Sequence, residues 1–103
     1  MEQTWTISQL NQSIKKWLEA EFPKIWIEGE ISNFKKYPSG HMYFSLKDEK
    51  AQASCVMFAG FNRYLKFTPK NGSHIKIKAK VSLYPERGQF QLIAEYMEES
   101  GDG

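Results

Sequence analysis

Between Ile75 and Leu83 every second residue is apolar: Ile75, Ile77, Ala79, Val81 and Leu83 alternate with Lys76, Lys78, Lys80 and Ser82. Period two belongs to a strand with one buried and one wet face, and no helix puts those five side chains on one side. A strand this regular needs partners for both of its edges. The rest of the chain therefore has to be searched for them.

Four further strands are predicted. Ile25, Ile27 and Ile31 alternate with Trp26, Glu28 and Glu30, and Gly29 takes an inward slot, as at a barrel corner with no room for a side chain. A loop is expected over 35–40, then Met42, Phe44 and Leu46 alternate with Tyr43, Ser45 and Lys47. After the turn Asp48-Glu49-Lys50, residues 51–58 read as a third strand, with Ala53, Cys55 and Met57 inward and Gln52, Ser54, Val56 and Phe58 outward. A short helix is expected near 61–66, ahead of the breaker run Thr68-Pro69-Lys70-Asn71-Gly72. Beyond the turn Pro85-Glu86-Arg87-Gly88, a last strand runs over 89–97 with Phe90, Leu92 and Ala94 inward.

Ahead of the strands lies a helix over 6–21. Thr6 and Gln9 have capping-box spacing, Leu10, Ile14, Trp17 and Leu18 form one apolar stripe, and Pro23 stops the helix. Trp5 and Trp17 are expected to dock it on the sheet. Helix, three strands, a short helical link and two strands predict a mainly β chain, a five-stranded OB-fold Greek-key barrel. An SH3-like barrel is the nearest competitor, but the link between strands three and four is too long for it.

The 103 residues suffice for one domain, placed at 1–97, with 98–103 as an acidic, glycine-rich tail. Net charge is only +2, yet residues 1–34 carry −2, residues 35–87 carry +8 and residues 88–103 carry −4. That central basic block suggests an anionic partner on one side of the molecule. A single cysteine, Cys55, forms no internal disulfide, and His41 and His74 are too few for a zinc set. Neither a signal peptide nor a membrane-spanning run is legible, so a cytoplasmic location is expected. No catalytic residue, metal ligand or cofactor motif is visible.

OB-folds bind oligonucleotides or oligosaccharides on the face of strands two and three and the loops beside it. Here that region offers Phe34, Lys35, Lys36, Tyr37 and His41 from the first loop, Tyr43 and Lys47 from strand two, Phe58 from strand three, and Tyr84 and Arg87 from the last turn. Rings interleaved with cations suit single strands, because bases stack on the rings while Lys and Arg follow the phosphates. Covering the sheet is the alternative use of such rings. For Lys76, Lys78 and Lys80 protection against edge pairing is the favoured role.

The runs Gly29-Glu30-Ile31-Ser32-Asn33-Phe34, 39–49 (Ser-Gly-His-Met-Tyr-Phe-Ser-Leu-Lys-Asp-Glu), Cys55-Val56-Met57-Phe58 and 81–92 together resemble the start of the exodeoxyribonuclease VII large subunit. The resemblance spans nearly the whole chain, from the helix to Met97. It implies a bacterial cytoplasmic nuclease that cuts single-stranded DNA into oligonucleotides and is assembled from large and small subunits. It further implies that the present chain is the DNA-binding OB domain, without hydrolytic activity, that 98–103 begin a linker to a catalytic domain, and that Lys35, His41, Tyr43, Lys47 and Arg87 touch DNA. A protein-docking module that recruits nuclease subunits is the competing expectation, supported by the amphipathic helix and by Trp26, Val56, Phe58 and Ile93 on the outer face.

Overall fold

A computed structural model describes residues 2–101 of the chain. Its elements are α1 (Ile7–Glu21), β1 (Ile25–Lys36), β2 (Met42–Lys47), β3 (Gln52–Met57), α2 (Ala59–Asn62), β4 (His74–Tyr84) and β5 (Gln89–Glu99). The strands close into a barrel in the order β1-β2-β3-β5-β4, antiparallel throughout except for the parallel pair β3–β5. This is the five-stranded OB barrel, with its N-terminal helix and a short helix between the third and fourth strands.

The core follows from the alternation. Ile75, Ile77, Ala79, Val81 and Leu83 are all buried, and Ile31, Phe44, Leu46, Cys55, Met57, Leu92 and Ala94 close the interior. Burial pushes the Cys55 thiol up to about 12, against a weaker opposing pull from the Leu46 backbone. It is a core side chain without a reactive thiolate.

β1 serves two neighbours. Ile25–Glu30 pair with β4 and Glu30–Lys36 with β2, so the strand must bend between them. Gly29 stands at that bend: a Cβ there would lie 2.7 Å from the Lys47 carbonyl oxygen. The expected loop at 35–40 starts two residues late, because Lys35 and Lys36 are still strand, and residues 37–41 turn, closed by Gly40 N–H to Tyr37 O at 2.8 Å. Register slips between Ser32 and Lys35, where Asn33 has φ 53°. This bulge resets the alternation, so Phe34 swings toward the core and stacks on Phe44 at 6.3 Å.

The capping box of α1 is present in both halves: Gln9 N–H donates to Thr6 Oγ1 and Thr6 N–H to Gln9 Oε1. The docking face differs from expectation. Leu18 reaches the core, but Trp17 is 61% exposed, and Trp5, Leu10 and Ile14 also face outward. Polar groups hold the helix instead. Asn11 Nδ2 donates to Pro85 O at 2.9 Å, Ser82 Oγ donates to Glu19 Oε2 at 2.6 Å, and Lys80 Nζ lies 3.9 Å from the same oxygen. Asn11, Lys15 and Glu19 are spaced four apart, which makes them one ridge, and that ridge faces β4.

Three more expectations are corrected. Val56, expected outward, is fully buried, because Tyr43 and Ile93 flank this short branched side chain in the same rung. Phe90 is inward in register but 48% exposed, since it lies at the open mouth of the barrel. The helix expected at 61–66 forms earlier, at Ala59–Asn62, because Asn62 Nδ2 donates to Gly40 O and Met57 O and ties the turn to the end of β3. At the C-terminal end β5 runs two residues past Met97, pairing Glu98 with Lys76 and Glu99 with Ile75. Of the expected linker, Asp102 and Gly103 lie outside the described residues.

Candidate nucleic-acid interface

One broad hollow of about 690 Å³ lies across β2, β3 and the start of β5. Its wall at one end is Tyr37 and Asn33, at the other Tyr84 and Arg87, with Tyr43 and Phe58 between them. Five of the ten expected contact residues, Tyr37, Tyr43, Phe58, Tyr84 and Arg87, are thus brought to one surface. None of the side chains lining it is acidic, and Arg87 supplies a cation at the edge.

The rings are held by the fold. Tyr43 points outward because Met42 and Phe44 on either side of it point inward. Tyr37 meets it edge-on, with centroids 5.2 Å apart, since the turn at 37–41 folds back over β2. Phe58 leaves the end of β3 and meets His41 edge-on at 5.1 Å. Edge-to-face pairing leaves a ring face uncovered, as a base platform requires. Of the rings that line the hollow, Tyr37, Tyr43, Phe58 and Tyr84 are exposed and Phe44 is buried.

The other five residues are placed differently. Lys35 is exposed on β1 opposite Tyr43 in register and is not among the residues that line the hollow. Lys36 is exposed on the other side of the same strand end, beside a second cavity. Phe34 is packed on Phe44, on strand rather than loop. His41 uses its ring to hold structure: Nδ1 accepts the Ala59 N–H at 3.0 Å and so satisfies the start of α2. Lys47 sits at the far end of β2, 3.9 Å from Glu30, and does not line the hollow.

Ser45, outward on β2 beside Tyr43, also lines the hollow, and so do Asn33, Ser54, Gln89 and Gln91, which are outside the expected set. The two glutamines alternate with Phe90 next to a turn, a pattern that could have drawn attention to them. Across the barrel, Lys76 and Lys78 lie 5.4 and 5.6 Å over the Trp26 ring, and Lys80 is at Glu19, so the lysine stripe is occupied away from this surface.

A small closed barrel with exposed rings over its second and third strands, amide side chains from β1 and β5 beside them and an arginine at the edge is the architecture of a nucleic-acid-binding OB domain. Residues 5–98 match the family described as the OB-fold nucleic acid binding domain, and the chain belongs to that family. Over 98 residues it is 51% identical to the exodeoxyribonuclease 7 large subunit of Thiobacillus denitrificans, covering 95% of this chain and 22% of that protein. It is 50% identical over 99 residues to the subunit of the same name from Hahella chejuensis, covering 96% and 22%. The chain therefore spans only about a fifth of the length of these relatives. Among solved structures, a replication protein A heterotrimer bound to ssDNA has the same fold at TM-score 0.63 and 11% identity, over 80% of this chain and 61% of that one. A putative aspartyl-tRNA synthetase from Leishmania major Friedlin matches at TM-score 0.61 and 13% identity, over 97% and 23%.

Proposed function

We propose that this chain is the single-stranded DNA-binding module of an exodeoxyribonuclease VII large subunit, a bacterial cytoplasmic hydrolase that degrades single-stranded DNA to oligonucleotides. The hollow lined by Tyr37, Tyr43, Phe58, Tyr84 and Arg87 carries this reading. Bases stack on the rings, Gln89, Gln91 and Ser54 offer hydrogen bonds to base edges, and Lys35 and Arg87 follow the phosphates. The module needs no cofactor. Cleavage and the small subunits belong to the rest of the enzyme, for which this barrel holds the strand.

The test is fluorescence anisotropy of a labelled oligo-dT at roughly 50 and 200 mM salt, where phosphate tracking requires affinity to fall. Tyr43→Ala removes one platform and should cost about 1–3 kcal/mol of binding. Affinity that ignores both salt and Tyr43 would refute the proposal. The competing role, a docking module for nuclease subunits, is favoured by one observation: Ile7, Leu10, Ile14 and Trp17 stand exposed on α1. A folded domain that binds no oligonucleotide but co-elutes with the small subunits would put that role first.

A further inference from the structure

A second cavity, of about 570 Å³, opens on the other side of the turn at 37–41. Sequence neighbours divide it from the hollow: Asn33, Tyr37 and Phe58 line the hollow, while Phe34, Lys36 and Ala59 line the cavity. Its walls include Phe34, Met42, Leu65 and Phe67. Lys36 and Arg63 stand exposed beside it, and among the described residues neither has an acidic partner.

Asn62 gives this cavity a polar point. The residue is only 7% exposed, and its Nδ2 donates to Gly40 O at 2.7 Å and Met57 O at 3.0 Å. Both partners are carbonyl oxygens, which only accept, so the amide has one possible orientation. Oδ1 is left without a protein donor among the described residues, yet no buried side-chain oxygen or nitrogen there lacks a partner. Oδ1 therefore keeps contact with solvent, and Asn62 lines the cavity. A rigid acceptor among apolar and aromatic walls, with cations at the mouth, is what the N–H edge of a nucleobase and its flanking phosphates require.

We propose that this cavity takes one base of the bound strand, turned out of the stack where the strand passes over the turn at 37–41. This rests on the single-strand-binding function above. Asn62 Oδ1 accepts an N–H from the base edge, Phe34 and Phe67 flank the ring, and Lys36 and Arg63 hold the phosphates on either side. Every common base carries such an N–H, so the site holds a base without selecting which one.

The experiment follows backbone and side-chain amide NMR signals of the 103-residue chain during titration with dCMP, and separately with deoxyribose 5-phosphate, which lacks the base. The signals of Gly60 and the Asn62 side-chain amide should move with dCMP and stay with the sugar phosphate. Asn62→Ala would also cut the ties to Gly40 and Met57, so the deciding variant is Gly60→Leu. A Cβ at Gly60 meets no atom within 4 Å and Gly60 lines the cavity, so a leucine should be tolerated there and should narrow the cavity, with the unchanged amide spectrum of the unliganded variant as the check on folding. The variant should abolish the dCMP shifts and weaken oligo-dT binding about 5- to 160-fold, the span of one lost stacking contact. Oligo-dT binding that is intact in the wild type and unchanged in Gly60→Leu, or equal shifts with the baseless sugar phosphate, would overturn the base pocket and leave the domain's function standing. No oligo-dT binding by the wild type would refute that function and the pocket with it.

Discussion

Gly29→Ala tests the barrel corner on which the interface depends. The new Cβ would stand 2.7 Å from the Lys47 carbonyl oxygen and 3.0 Å from Leu46 Cγ. Neither neighbour yields easily. The carbonyl belongs to the strand paired with Glu30, next to Gly29, and Leu46 is a buried core residue. Overpacking of this kind costs about 1–3 kcal/mol, whereas the stiffer unfolded chain of an alanine returns about 0.4–1 kcal/mol. A net loss of about 1.5 kcal/mol lowers the Tm of a domain of this size by about 6–12 °C. Gly60→Ala is the control, because its Cβ enters open space within α2, and there Tm should rise by a few degrees. Calorimetry on both variants decides the matter. A Gly29→Ala protein as stable as the wild type, beside a well-behaved control, would refute the account of the bend.

Three further outcomes are expected. Lys35→Gln and Arg87→Gln should each reduce the slope of log K against log salt by about 0.7 for a single strand, measured by anisotropy, whereas Lys78→Gln on the far side should leave it unchanged. Cys55 should resist a thiol reagent at pH 8 in the native protein and react only as the chain unfolds, because burial keeps its pKa near 12. The Asp48 carboxylate accepts the Lys50 and Ala51 N–H groups, which lowers its pKa. Its support of the β2–β3 turn is therefore full above about pH 4 and is lost as pH falls through the lower folded value, a loss that Asp48→Asn should remove from a plot of stability against pH.

Much of the barrel was legible because its core is written in period two. β4 needed no tertiary information, and neither did the capping box of α1. What was not legible depended on single backbone or neighbour effects. Asn33 takes a left-handed conformation that nothing in the local pattern demands, and this one residue moves Phe34 from solvent to core. The rotation of α1 was hidden because its apolar stripe is the obvious side to bury, while its polar ridge finds Ser82 and the Pro85 carbonyl only once β4 and β5 have paired. Val56 depended on which residues flank it in the rung. At the candidate site, the rings came together as the fold implied, but the roles of His41 and Phe34 turn on partners 18 and 10 residues away, which no motif spacing records.

The parallel pair β3–β5 joins only Ser54–Val56 to Gln91–Ile93, the shortest ladder in the barrel. This seam helps close the sheet into a ring with the fewest paired residues, and so short a ladder should open more readily than the others. Ser54 and Gln91 also form part of the hollow. A strand lying there bridges the seam from outside, and closure and binding become a single linked equilibrium. Occupancy should then be read in hydrogen exchange as slowed opening at residues 54–56 and 91–93, with the β4–β5 hairpin indifferent to the ligand. The domain would act on its cargo as a clasp, tightened by what it carries.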